Sequence, residues 1–205
     1  MKEAFIIHGS YGNPEENWFQ WLKKELEKID FQVFVPQFPI PELREQNPAW
    51  GGHNLSRWIE TLKQYNEHIT ENTIFIAHSR GCIFTYHFLS KLTSPIAATF
   101  LVAPWINYRW YPKDWQKIDS FHEIPFDWEK IKRGSKYFEV YQSTNDDTPI
   151  SEGQEIAEKL GAKFVVVENA GHFNTKAGYT TFPLLLENMK AQNSPVGREN
   201  RARKK

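Results

Sequence analysis

Thr73-Ile74-Phe75-Ile76-Ala77-His78-Ser79-Arg80-Gly81 is the stretch on which the fold turns. An apolar run with no polar alternation reads as a strand buried on both faces, the habit of parallel sheets. It leads into small-x-Ser-x-small, and residues 80–92 then carry a helical pattern. Strand, tight turn and helix in that order make a nucleophile elbow, with Ala77 in the first small position. A turn this sharp holds its serine in a strained backbone conformation and brings the flanking residues close, so both must be small. It lifts the Ser79 hydroxyl clear of the sheet and sets it at a helix N-terminus, whose N–H groups favour a developing oxyanion.

Residues 4–8, 32–35, 97–103, 137–142 and 163–167 are further apolar runs of strand length. Helical signals lie between them. Asn13-Pro14-Glu15-Glu16 offers an N-cap, a proline at the first position and a glutamate, followed by Trp18, Trp21, Leu22, Leu26 and Ile29 at helical spacing. Ser151-Glu152-Gly153-Gln154 offers a second capping box, with Gly161 as its stop. Residues 55–69 and about 182–190 also fit helices. The alternation predicts an α/β three-layer sandwich around a mostly or wholly parallel sheet of about six strands. One domain over residues 1–191 is expected, with a disordered basic tail over 192–205. Residues 36–54, rich in proline and glycine, and 104–128, rich in tryptophan, fall outside the alternation. Irregular stretches of that length are often functional.

Composition narrows the class. Of 205 residues 40% are hydrophobic and 24% charged, which is globular. Lys+Arg and Asp+Glu both number 25, so there is no excess of positive charge for nucleic acid. A single cysteine, Cys82, forbids an intramolecular disulfide and reads as a small core residue. No apolar run approaches the ~18 residues of a membrane span. The first residues lack a signal-peptide layout, so a cytoplasmic location is expected.

A serine hydroxyl needs a base to act as a nucleophile at neutral pH. Glu168-Asn169-Ala170-Gly171-His172-Phe173 follows the strand at 163–167 and carries His172 back over the strand ends. Between serine and histidine, Ser143-Thr144-Asn145-Asp146-Asp147-Thr148-Pro149-Ile150 follows the strand at 137–142. Serine, acid, histidine is the chain order of elbow hydrolases. Asp146 and Asp147 compete for the acid position. Asp147 is favoured, because it puts Ile150 in the apolar place of an Asp-x-x-Val-Pro pattern, and Asp146 is then a turn residue. The first strand ends in His8-Gly9-Ser10-Tyr11-Gly12, where the main-chain N–H of Ser10, or of Tyr11, supplies one oxyanion donor and that of Arg80 the other. Gly9-x-x-Gly12 is a weak phosphate cradle without Gly-x-Gly-x-x-Gly or Gly-Lys-Ser/Thr. His8, His78 and His172 lack a metal-binding spacing, so no metal and no cofactor is expected. Tyr11, Trp105 and Trp128 are candidates for a substrate pocket, although tryptophans at 105, 110, 115 and 128 read more simply as a second core.

Taken together, His8-Gly9-Ser10, Trp21-Leu22-Lys23-Lys24-Glu25-Leu26, the elbow, Phe126-Asp127-Trp128-Glu129-Lys130-Ile131, Ser143-Thr144-Asn145-Asp146-Asp147 and Gly171-His172-Phe173 resemble the small serine hydrolases of the α/β-hydrolase superfamily related to retinoblastoma-binding protein 9. The resemblance spans residues 5–190. It implies Ser79 as nucleophile, His172 as base and Asp147 as acid, in a compact hydrolase without a large separate cap that cleaves small-molecule esters. Arg80 stands where small residues are common. The competing class is a non-catalytic protein-binding module on the same scaffold, its partner unspecified.

Overall fold

Six runs of valine, isoleucine and phenylalanine pair into one sheet: β1 (Lys2–Ile7), β2 (Phe31–Phe34), β3 (Ile74–His78), β4 (Ala98–Val102), β5 (Phe138–Ser143) and β6 (Lys163–Val167). The computed structural model describes residues 2–40, 53–106, 120–122 and 124–193. Within them the strand order is β2-β1-β3-β4-β5-β6. Every pairing is parallel, so the expected sandwich is wholly parallel. Each expected strand is present within two residues of its expected ends.

Between and after the strands run α1 (Phe19–Glu27), α2 (Leu55–Lys63), α3 (Arg80–Leu89), α4 (Trp128–Arg133), α5 (Ile150–Leu160) and α6 (Pro183–Asn193). Alternate strand residues feed two cores. Phe5, Ile7, Phe75, Ala77, Leu101 and Val140 pack with Trp58 of α2 and with Ile83, Phe84 and Tyr86 of α3. Ala4, Ile6, Ile74, Ile76, Phe100 and Val102 pack with Leu22 and Leu26 of α1 and Leu185 and Met189 of α6. Cys82 belongs to the first core, fully buried, with burial pushing its thiol pKa up.

Two helix starts differ from expectation. The Asn13 side chain accepts the N–H of Glu15 at 2.9 Å and so closes a turn of its own, and Asn17 takes a positive φ of 55°. A helix cannot run through that residue, so α1 begins at Phe19. Pro149, extended at ψ 147°, occupies the cap position of α5 and leaves Ser151 inside the helix. Gly161 closes α5 in the left-handed conformation, as expected. The helix expected over 55–69 stops at Lys63 and is followed by a single 3₁₀ turn, Asn66–His68. The last helix extends to Asn193, past the expected start of the tail. Residues 194–205, Trp110, Trp115 and positions 41–52 lie outside the described residues.

The sheet order reverses between β1 and β3: β2 lies on one side of β1, and β3 to β6 continue on the other. In open parallel sheets the crevice beyond the strand ends at such a switch point is where ligands bind. There the elbow packs against the end of β1. A Cβ placed on Gly81 would stand 2.6 Å from the Ile7 carbonyl oxygen and 2.7 Å from that of His8. Smallness at position 81 is therefore demanded chiefly by the neighbouring strand, not by the approach of Ala77. Gly81→Ala is expected to lower stability by about 1–3 kcal/mol, the usual cost of overpacking. A urea midpoint equal to that of the wild type would contradict this account.

Candidate active site

Ser79 sits between β3 and α3 at φ 53° and ψ −121°, the strained conformation that the elbow requires. Its N–H is spent on the Val102 carbonyl at 2.9 Å, which fixes the turn to β4. The Ser79 Oγ lies 2.9 Å from His172 Nε2. His172 Nδ1 lies 2.9 Å and 3.0 Å from the two carboxylate oxygens of Asp146. The three side chains come from loops beyond the C-terminal ends of β3, β6 and β5. A carboxylate only accepts, so Nδ1 carries the proton and Nε2 is left to accept from the serine hydroxyl.

The acid position is a correction. Asp146 meets the histidine, with its carboxylate fully buried, while Asp147 is exposed. The cause is a set of side-chain bonds that hold the chain after β5. Ser143 Oγ accepts the N–H of Ala170 at 2.9 Å and donates to Asn145 Oδ1 at 2.8 Å. Asn145 Oδ1 in turn accepts the N–H of Gly171 at 2.7 Å, and Thr144 Oγ1 accepts that of Asn169 at 2.9 Å. These bonds stitch the acid loop to the histidine loop in a register that aims Asp146, and the N–H of Thr148 binds Asp146 Oδ1 at 3.0 Å.

Contacts that sequence reasoning missed hold the histidine loop from the other side. Trp18 Nε1 donates to the Phe173 carbonyl at 3.0 Å. Asn17 exchanges bonds with Thr175, accepting its N–H at 2.8 Å and donating its own to Thr175 Oγ1 at 3.0 Å. His78 Nε2 donates to the His172 carbonyl at 2.8 Å. Trp18 and His78 stood in the motifs already quoted, but nothing in their spacing points to a partner more than ninety residues away.

Ser10 and Arg80 come together: Arg80 Nε donates to Ser10 Oγ at 2.8 Å. Trp105 lies by the same guanidinium, its ring centroid 5.5 Å from Cζ. Tyr11, at φ 55°, sets its ring edge-on to His53 at 4.9 Å. Trp128 is not brought to this place. It packs on Phe126 and on Tyr86, which lies seven residues (about two turns) along α3 from Ser79. The histidines near Ser79 are otherwise engaged: His8 Nε2 accepts the N–H of Phe38 at 2.9 Å. Among the described residues no group of three or more His, Cys, Asp or Glu is arranged to hold a metal ion, and no helix is long and apolar enough to cross a membrane.

A parallel sheet, an elbow serine at its switch point and a histidine–carboxylate pair delivered by the last two strand ends define an α/β hydrolase. The model of the serine hydrolase family matches residues 4–191, and the chain belongs to that family. It is 30% identical to YdeN of Bacillus subtilis (strain 168) over 189 residues, 91% of this chain and 93% of that one. The crystal structure of the ydeN gene product superposes with a TM-score of 0.79 at 28% identity, covering 93% of this chain and 98% of the other. Rat serine hydrolase RBBP9 is 27% identical over 198 residues, 95% of this chain and 97% of that one. Est1E from Butyrivibrio proteoclasticus shares the fold, with a TM-score of 0.67 at 15% identity over 92% of this chain and 85% of the other.

Burial sets a pH dependence of stability. Desolvation is the main cause that lowers the pKa of both His53 and His78 to about 3. Between that value and the unfolded value near 6.5, the unfolded chain binds protons that the folded chain does not. Stability therefore falls as pH drops below about 6.5, by up to about 1.4 kcal/mol per pH unit for each histidine. Urea midpoints should decline from pH 7 to pH 5, and less steeply in His78→Gln. A midpoint flat over that range would refute the assignment.

Proposed function

We propose that this serine hydrolase cleaves small carboxylic esters through a Ser79–His172–Asp146 triad and an acyl-enzyme. The observation that carries the reading is the continuous pair of bonds from Asp146 through both nitrogens of His172 to Ser79 Oγ, all between 2.9 and 3.0 Å. That Est1E has been solved with ferulic acid bound is in keeping with acyl chemistry on this fold.

Ser79 Oγ attacks the ester carbonyl carbon as its proton passes to His172 Nε2. Asp146, buried against Nδ1, stabilises the imidazolium. The carbonyl oxygen becomes an oxyanion, held by the main-chain N–H groups of Ser10 and Arg80. The Ser10 N–H has no acceptor among the described residues, which leaves it available for this role. Collapse of the tetrahedral intermediate breaks the ester C–O bond, and the departing alkoxide takes the proton from His172. Water then attacks the acyl-enzyme, giving a proton to His172, and the acid leaves as Ser79 recovers its hydrogen.

Labelling with a fluorescent fluorophosphonate, paired with hydrolysis of p-nitrophenyl acetate, tests the reading. Ser79→Ala and His172→Ala should lose label and at least about a thousandfold in kcat while remaining folded by circular dichroism. Asp146→Asn should fall by orders of magnitude and Asp147→Asn by less than about threefold. The reverse order of the two aspartates would return the acid role to Asp147. Wild-type turnover in Ser79→Ala would sink the mechanism.

A further inference from the structure

Arg80 enters the fold twice. Its main chain opens α3 beside Ser79, and its side chain turns back across the crevice to the loop after β1. There Nε donates to Ser10 Oγ at 2.8 Å. The side chain is buried, with Cζ 5.5 Å from the Trp105 ring and 5.3 Å from that of Phe121. Burying a guanidinium is costly unless its geometry is well satisfied, and these rings and the serine hydroxyl contribute to that.

The loop it reaches is also held by Gln37 Nε2, which donates to the Gly12 carbonyl at 3.2 Å, and by His8 Nδ1, 2.9 Å from the Gly9 carbonyl, but neither of these bonds touches Ser10. β1 ends at Ile7, and the main-chain closure that follows is a 3.3 Å bond from the Gly12 N–H to the Gly9 carbonyl. The same loop runs against the nucleophile: a Cβ on Gly9 would stand 3.0 Å from the Cβ of Ser79. An error in its position moves the Ser10 N–H relative to the Arg80 N–H. We propose that the Arg80 side chain is a positioning residue for ester hydrolysis: through its bond to Ser10 Oγ it fixes the spacing of the two oxyanion donors, one of which is its own main-chain N–H. One residue thereby ties the elbow to the β1 loop. The field of its guanidinium reaches the surrounding groups, since Arg80 contributes to the lowered pKa of both His53 and His122.

The inference rests on the esterase reading, and a double-mutant cycle separates the two. Ser10→Ala, Arg80→Met and the double variant are assayed on p-nitrophenyl acetate. Affinity for phenylethaneboronic acid, an oxyanion mimic, is measured alongside. Each single change should lower kcat about 10- to 100-fold with KM within about threefold, because only the charged intermediate feels the donors. Boronic acid affinity should fall in parallel. The double variant should be no worse than the more severe single, since the bond between Nε and Ser10 Oγ is already lost in either single variant. Arg80→Lys, which keeps the charge without the planar donor, should recover only part of kcat. Additive losses, or a wild-type kcat in Ser10→Ala, would overturn the proposal. If Arg80→Met does not fold, Ser10→Ala decides alone by the same criterion. A wild-type protein that takes no fluorophosphonate and cleaves no ester overturns the esterase reading and this inference with it.

Discussion

The backbone of Ser79 is held at a positive φ by a turn with no room to relax, and the site is built on that strain. The conformation is imposed from three directions: the N–H of Ser79 binds β4, Gly81 lies against the carbonyls of β1, and Gly9 lies against the serine itself. β1 and β4 flank β3 in the sheet, so each contact comes from a neighbouring strand or from the loop after it. The two cores on either face supply the energy that keeps a strained residue in place. Local strain and global topology are thus one arrangement.

Around that fixed serine the other groups are adjusted by hydrogen bonds made by small polar side chains. Ser143, Thr144 and Asn145 capture three successive main-chain N–H groups of the histidine loop. Trp18 and Asn17 hold the same loop from the turn before α1. The imidazole is thereby located from two sides while its own side chain remains 30% exposed, within reach of a substrate. Asp146, by contrast, is shut away from water, which strengthens its interaction with Nδ1.

What could be read from the sequence follows the range of the forces involved. Strands buried on both faces announce themselves as apolar runs, and all six were legible, as was the strand–turn–helix of the elbow; the bond from the Arg80 side chain to Ser10 was not, because only the main chains of these two residues were read together. Helix starts were less so, because Asn13 and Ser151 carry capping chemistry that the chain spends on a turn and inside a helix instead. The carboxylate that meets the histidine lies one residue before the one expected. Two adjacent aspartates differ only in which way the loop delivers them, and bonds from Ser143 and Asn145 to residues 170 and 171 decide that. Trp128 was open between a pocket and a second core, and the structure packs it against the core beside Tyr86 and Phe126, since its motif does not say which end of α3 it meets.

The order in which the chain visits its sheet has a consequence for synthesis on the ribosome. Ser79 follows the third strand made, Asp146 the fifth and His172 the sixth, and the loop bearing the histidine rests on Trp18 from the start of the chain and on a core that includes α6. No nascent fragment that stops short of the sixth strand can bring the three side chains together, however well its earlier strands have paired. The three side chains therefore meet only late in synthesis, after Ser79 and its elbow have been made. Until then Ser79 has no imidazole beside it.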